Sequence, residues 1–501
     1  MKIKSFLAKP YAAVVHKRIR KAALTAVADQ QAWLEKLLKV AAATSFGKDH
    51  GLKDVKTYEQ FRQAVPIRDY EALTPYIEAI KSGKSDVLWR GKPMYFAKTS
   101  GTTSGTKYIP ISKDSIHNHI DTARNALLCY MSESGNASFA DGRMIFLSGS
   151  PTLERTGGIP TGRLSGIVNH FIPSYLKRNQ LPSYETNCIE DWETKLGRIV
   201  DETVGQNMTL ISGIPPWMQM YFDWLREKSG GKTIKELFPE LQVLVHGGVA
   251  FEPYRAKLAE SLGGHVDTVE TFPASEGFFA FQDTLDKEGL LLNTDSGIFF
   301  EFVPAGEIFN DTPTRLSLAD VKVGENYALV VNSNAGLWGY NIGDTVRFVS
   351  LNPYRLVVTG RTKHFISAFG EHVIGEEVEA AMMEASKKHS AQVVEFTVAP
   401  QVTPPEGGLP YHEWFISFGA APADMTAFAT ALNEALRERN VYYDDLQRGA
   451  ILQPLKITVL RQDAFIEYMK SVGKLGGQNK VPRLSNDRKL AEALAAWKAD
   501  R

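Results

Sequence analysis

The stretch Thr99-Ser100-Gly101-Thr102-Thr103-Ser104-Gly105-Thr106-Lys107 follows a strand-like run, Met94–Ala97. Small residues there let a backbone approach phosphate closely, and exposed amides and hydroxyls donate to its oxygens. Lys107 adds a mobile positive charge. A Walker A loop needs Gly, four residues, then Gly-Lys followed by Ser or Thr. Here three residues separate Gly101 from Gly105, Thr106 precedes the lysine, and Tyr108 follows it. The stretch is therefore outside the P-loop class. Two readings stay open, a phosphate-binding turn of another kind and a polar turn with no ligand.

Outward from this loop the pattern alternates. Upstream, Leu24, Val27, Trp33, Leu34, Leu37 and Leu38 recur at helical spacing and predict a helix from about Ala22 to Ala43. Downstream, apolar β-type runs at Met144–Leu147, Thr209–Ile211, Val243–Val245 and Val266–Val269 are separated by helical patterns. That alternation predicts α/β layers with largely parallel pairing. Leu290–Asn293, Ile298–Val303, Tyr327–Asn332, Val346–Val349 and Leu356–Thr359 are strands joined by short turns, which predicts an antiparallel or barrel-like part. After about Arg361 the pattern resets. Helix Glu376–Lys387, strands Val393–Val398 and Trp414–Phe418, helix Ala423–Arg439 and strand Lys456–Leu460 predict a small α+β unit. Its Pro- and Gly-rich stretch Pro400–Pro410 reads as a hairpin connection.

The chain has 501 residues, 44% apolar and 23% charged, which fits a soluble globular protein of more than one lobe. Basic and acidic residues balance at 57 each, which argues against a dedicated nucleic-acid binder. Cys129 and Cys188 are the only cysteines, so neither a disulfide framework nor a four-cysteine zinc site is available, and a cytoplasmic setting is expected. No uninterrupted apolar run reaches the length of an integral membrane segment. The basic N-terminal segment, with Lys2, Lys4, Lys9, Lys17, Arg18, Arg20 and Lys21, reads either as a solvated helix packed on the body or as an amphipathic helix on a membrane surface.

Three further motifs carry chemistry. Thr271-Phe272-Pro273-Ala274-Ser275-Glu276-Gly277 places a carboxylate at a strand exit, where Glu276 can hold Mg²⁺ and Phe272 can lie against adenine. Gly339-Tyr340-Asn341-Ile342-Gly343-Asp344 offers an aspartate able to accept both ribose hydroxyls. Thr359-Gly360-Arg361-Thr362-Lys363 stands where the pattern resets. Each has a plain alternative: a solvated glutamate, a β-turn, and a polar interdomain turn.

In this order the four motifs resemble the adenylate-forming superfamily of acyl-CoA synthetases and luciferases. The chain is more closely similar to the auxin-responsive promoter family of acyl acid amido synthetases. That resemblance is also carried by Thr44-Ser45-Phe46-Gly47-Lys48, Val65-Pro66-Ile67, Pro75-Tyr76-Ile77, Gly213-Ile214-Pro215-Pro216-Trp217 and Gln478-Asn479-Lys480-Val481-Pro482-Arg483. Two departures stand out. Phe272 and Ala274-Ser275 replace the family's tyrosine and paired serines, and Asn341 replaces its arginine.

The resemblance implies a large N-terminal domain, 1–360, of α/β layers with a β-rich, barrel-like part. A hinge at 361–366 would lead to a small mobile C-terminal α+β domain, 367–501. It implies ATP and Mg²⁺ as cofactors, and a small carboxylic acid and an amine or amino acid as partners. Ser100, Gly101, Thr102, Thr103, Gly105 and Lys107 would hold the phosphates. Gly247, Gly248, Phe272 and Ser275 would border the nucleotide, Asp344 and Arg361 would bind ribose or phosphate, and Glu276 would bind the metal. Lys363 would be the pivot, and Lys480 the lysine carried to the phosphates. Arg163, His170, Phe171 and Tyr175 are candidates for the acyl pocket. Transfer to coenzyme A, or nucleotide binding without turnover, are the alternatives.

Overall fold

The computed structural model describes residues 3–100, 106–172, 177–248, 251–362, 365–366, 373–448, 452–475, 481–485 and 487–499. The chain divides into two compact units. The first holds the chain up to Ile342 together with Val346–Val358; the second holds Gly343–Thr345, Thr359–Leu475 and the described residues from 481 onward.

Helix α1, Ile3–Ala22, opens the first unit, and α2, Ala26–Ala41, follows a short 3₁₀ turn at Ala23–Thr25. The single helix expected over Ala22–Ala43 is thus split. Thr25 stands at the break: its hydroxyl, with one proton to donate, lies 2.9 Å from both the Ala22 carbonyl and the Asp29 carboxylate, local partners that compete with the helix ladder. Leu34, Leu37, Leu38 and Ala41 of α2 are buried as the periodicity demands, whereas Leu24 and Val27 are exposed.

Strands β1 (Tyr95–Ser100) and β2 (Thr106–Ile111) form a hairpin that joins β5 (Ile159–Gly162) and β4 (Glu154–Thr156) in a four-stranded sheet. The larger sheet contains β3 (Arg143–Phe146), β6 (Gln180–Leu181), β7 (Met208–Gly213), β8 (Val243–Gly247) and β9 (Asp267–Ala274). It continues through β10 (Gly277–Phe281), β11 (Leu290–Leu292), β12 (Ile298–Pro304), β13 (Asn326–Ser333), β14 (Tyr340–Leu351) and β15 (Tyr354–Arg361). Its order is β12-β13-β14-β15-β11-β10-β9-β8-β7-β3-β6. From β6 to β9 the pairing is parallel; β9–β10, β10–β11, β11–β15 and β12–β13 are antiparallel. The α/β layers and the β-rich part are therefore one continuous sheet.

The antiparallel part curls. Five strand intervals separate β10 from β12, roughly 24 Å in a flat sheet at about 4.8 Å per interval. Yet a Cβ built on Gly277 of β10 would stand 2.6 Å from the Ile298 Cδ1 of β12. Only a sheet rolled toward closure brings those strands together, and the aromatic core inside the roll fills it. Phe272, Phe279, Phe300, Phe302, Trp338 and Tyr340 all belong to that core.

In the second unit, β16 (Phe365–Ile366) pairs with β17 (Val373–Ile374), which leads into helix Gly375–Lys388. Strands β18 (Gln392–Gln401), β19 (Tyr411–Ala420) and β20 (Lys456–Leu460) form one sheet. β18 and β19 are antiparallel and pair Gln401 with Tyr411, so the Pro- and Gly-rich stretch is indeed their hairpin connection. β20 joins β19 in parallel after helix Met425–Arg439. Among the described residues, no helix is long and apolar enough to cross a membrane.

Candidate active site

The parallel strands β3, β7, β8 and β9 run in one direction, so their carboxyl ends share an edge of the sheet. The segments leaving that edge begin at Leu147, Ile214, Gly248 and Ser275. Ligands of parallel α/β sheets bind at this edge, beyond the strand ends.

Glu276 stands on it. The β9–β10 register pairs Ala274 with Gly277, leaving Ser275-Glu276 as a two-residue turn. The motif lies in a tight hairpin, where the sequence suggested a looser strand exit. Ser275 is buried, Glu276 is half-buried, and the Tyr340 hydroxyl donates to Glu276 Oε1 at 3.5 Å. Burial, reinforced by the Glu276 charge, raises the Tyr340 phenol well above its ordinary range, so it remains a neutral donor. Tyr340 is quoted in the third motif but carries no sequence signal of this contact, because the roll of the sheet creates it. Phe272 departs from the expectation of a ring open to adenine. It is buried, edge-on to Phe279 with centroids 5.2 Å apart, because aromatic area is worth more inside the core.

The glycine pair has a packing role. A Cβ on Gly247 would stand 2.2 Å from the Thr271 carbonyl oxygen, so only glycine lets β8 and β9 pair this closely. Gly248 adopts φ 78, a left-handed conformation that favours glycine. The adjacent His246 ring stacks on Phe251 (centroids 4.0 Å), and burial pushes its pKa down to about 3. It is neutral at physiological pH.

In the β1–β2 hairpin, Thr99 pairs with Lys107 and Ser100 with Thr106. Gly101, Thr102, Thr103 and Gly105 lie outside the described residues. The hairpin base is tied to helix Tyr70–Lys81: the Tyr108 amide donates to the Tyr70 hydroxyl (2.9 Å), and Lys107 Nζ lies 5.6 Å from the centre of the Tyr70 ring.

Two of the expected acyl residues, Arg163 and His170, touch the loop after β3. Arg163 immediately precedes helix Leu164–Asn169, its Cδ 2.6 Å from where a Cβ on Gly149 would stand. His170 Nε2 is 2.9 Å from the Pro151 carbonyl, and Phe171 is edge-on to Tyr95 with centroids 5.9 Å apart. Tyr175 lies outside the described residues. Lys195, which the sequence reading passed over, supports the same loop. It is buried, donates to the carbonyls of Ser148 (2.9 Å) and Asn187 (2.8 Å), and burial lowers its pKa to about 8. A lysine on an amphipathic helix ordinarily reads as solvated, so nothing in the sequence marks it.

Within the second unit, Asp344 and Arg361 meet. Asp344 lies inside β14, where the sequence suggested a position between strands, and Arg361 ends β15; Nη1 and Oδ1 are 3.3 Å apart. Gly343 has φ 85, and a Cβ there would stand 2.9 Å from Arg361 Nη2, so glycine leaves room for the guanidinium. Thr362 N donates to the Gly343 carbonyl at 2.8 Å. Lys363 and Lys480 lie outside the described residues.

Models of the GH3 family N-terminal, central and C-terminal domains match residues 15–196, 291–361 and 376–489, in that order. The chain belongs to the GH3 family. Among curated relatives, jasmonoyl-L-amino acid synthetase GH3.5 of Oryza sativa subsp. japonica is 23% identical, covering 91% of this chain and 92% of the relative. Indole-3-acetic acid-amido synthetase GH3.3 of Arabidopsis thaliana is 22% identical, covering 93% and 90%. Among solved structures, GH3.15 acyl acid amido synthetase superposes with a TM-score of 0.78 at 18% identity, covering 96% of this chain and 95% of that one. 2-Hydroxyisobutyryl-CoA ligase with 2-HIB-AMP gives a TM-score of 0.57 at 12% identity, covering 96% and 90%. This GH3 chain thus shares the fold of these two structures.

Proposed function

We propose that this chain is an ATP-dependent ligase that activates a carboxylic acid as its acyl adenylate and passes the acyl group to an amine, in the first instance an amino acid. The observation that carries the reading is the ordered match of all three GH3 domains. A carboxylate is a poor electrophile. In the first step its oxygen attacks the α-phosphorus of ATP, a new P–O bond forms, and the bond to the β-phosphate breaks with release of pyrophosphate. In the second, an amine nitrogen attacks the acyl carbon, the C–N bond forms, AMP leaves with the C–O electron pair, and the amine proton passes to solvent. Catalysis consists of holding two anions together and neutralising the charge that develops on phosphate oxygens.

Ser100, Gly101, Thr102, Thr103, Gly105 and Lys107 take the phosphates in this reading. Glu276 takes Mg²⁺, with the Tyr340 hydroxyl orienting its carboxylate. Among the described residues no cluster of three or more His, Cys, Asp or Glu could hold an ion. One carboxylate fits magnesium held mainly by triphosphate oxygens. Magnesium bound there supplies positive charge at the phosphates. Gly247 and Gly248 border the nucleotide as close-approach backbone, with Ser275 beside them. Arg163 pairs with the acid, while His170, through the loop after β3, and Phe171, against Tyr95, border it. Lys363 is the pivot of the small domain, and Lys480 is the lysine delivered to the phosphates.

Pyrophosphate release, screened by crossing carboxylic acids with amino acids and with coenzyme A, tests the reading. Acid-dependent release with amide formation is expected. Thioester formation with coenzyme A would replace the second step, and no release with any acid would leave only a nucleotide-binding protein.

Asp344 is assigned to the ribose hydroxyls. Asp344→Ala removes charge-assisted hydrogen bonds worth about 1.5–3 kcal/mol each, so nucleotide affinity is expected to fall roughly 10–150-fold per bond. Titration calorimetry with ATP reads this directly, and an unchanged Kd returns Asp344 to an ion-pair role with Arg361.

A further inference from the structure

Helix α1 has two unlike faces. Toward the body, the Ser5 hydroxyl donates to Asp141 (2.7 Å), and Ala12 and Val15 join a core cluster with Cys129 and Met131. Toward solvent, Phe6 is 63%, Tyr11 52% and Val14 68% exposed. Leu24 and Val27 continue the exposure past its end. Five of the sixteen large apolar side chains exposed among the described residues thus fall between Phe6 and Val27. Isolated exposed apolar residues are ordinary; a concentration of them marks an interaction surface.

The same segment is cationic. Seven Lys and Arg precede Asp29, the first acidic residue, in a chain whose formal net charge is +0. Arg20 reaches Glu133 at 3.0 Å, while Lys9, Lys17, Arg18 and Lys21 are exposed. Phe6, Pro10, Val14 and Arg18 succeed one another at intervals of four, which places them in one row along the helix, with Lys17 and Lys21 alongside. Phe6, Tyr11 and Val14 also lie ahead of residue 15, where the family match begins.

We propose that this face of α1 docks on an anionic lipid bilayer, with Phe6 and Val14 entering the hydrocarbon boundary and Lys9, Lys17, Arg18 and Lys21 meeting headgroup phosphates. Apolar and cationic side chains interleaved on one helix face complement a surface that offers hydrocarbon and negative charge together. Nucleic acid offers the charge without the hydrocarbon. The two sequence readings of this segment are then both satisfied, one by each face. The inference goes beyond the ligase reaction and stands without it.

Vesicle flotation of the full chain tests it. Binding is expected to vesicles of phosphatidylcholine with about a third phosphatidylglycerol, to weaken with added salt, and to be absent with phosphatidylcholine alone. Each basic residue near an anionic surface is worth roughly fivefold in partitioning, so joint Lys17→Ala, Arg18→Ala and Lys21→Ala lowers it about a hundredfold. Phe6→Gln with Val14→Gln abolishes it although the charge of the face is unchanged. All five side chains are exposed, so an unchanged melting temperature is expected of both variants. No flotation with anionic vesicles, equal flotation with neutral ones, or flotation that survives Phe6→Gln with Val14→Gln overturns the proposal. So does displacement from vesicles by a double-stranded oligonucleotide, which assigns the face to nucleic acid.

Discussion

Glu276→Gln is expected to lower acid-dependent pyrophosphate release by about a hundredfold while the protein stays folded. Glutamine keeps the size of the side chain in the Ser275-Glu276 turn but removes the charge that would hold magnesium. Metal stabilisation of developing phosphate charge is worth several kcal/mol, and losing about 3 kcal/mol of it slows a reaction by roughly 150-fold. Raising the magnesium concentration should recover part of the rate, because the triphosphate still binds the ion. Tyr340→Phe removes only the hydroxyl from a contact at 3.5 Å, the long limit for a hydrogen bond, and its effect should be about tenfold or less. Wild-type release by Glu276→Gln at every magnesium concentration would reduce Glu276 to a turn residue.

Glu301→Ala is expected to destabilise the first unit by about 3–5 kcal/mol, the cost of breaking a buried ion pair. Glu301 is fully buried on β12 and accepts from Arg315 Nε (2.9 Å), Arg315 Nη2 (2.8 Å), Tyr58 (3.0 Å) and Asn332 (2.9 Å). Alanine strands the Arg315 guanidinium inside the protein and leaves the Tyr58 hydroxyl and Asn332 amide without that acceptor. Arg315 also donates to the carbonyls of Arg62 and Val65, so the pair ties β12 to the segment that leads toward Tyr70. Asp121→Ala, which breaks the exposed pair with Arg124 (3.1 Å), is the control and should cost under about 1 kcal/mol. Urea unfolding followed by fluorescence compares them. Equal midpoints for the two variants would mean that the buried network adds nothing to stability.

The same carboxylates show how far sequence reasoning reaches. The position of Glu276 just after a strand was legible, because the apolar run ending near Val269 leads into Thr271-Phe272-Pro273-Ala274-Ser275-Glu276-Gly277. Glu301 was invisible: in Phe300-Glu301-Phe302 a charged residue interrupts an apolar strand, and nothing local names Arg315 as its partner. Lys195 is as inconspicuous for the same reason, since its two carbonyl acceptors, in the loop after β3 and at the end of helix Tyr184–Asn187, are separated along the chain. Phe272 was assigned to adenine because strand position alone does not tell a core aromatic from a pocket aromatic.

The sequence by itself determined the alternation of strands and helices, the hairpin around Pro400–Pro410 and the order of the motifs. These depend on side-chain periodicity, turn residues and spacing, all local along the chain. Only the tertiary structure decided that parallel and antiparallel strands form one sheet, that this sheet rolls until β10 meets β12, that Tyr340 reaches Glu276, and that Arg361 pairs with Asp344. Strand order and curvature arise from packing between residues far apart in the chain, and a periodic pattern carries no record of which distant strand it will face.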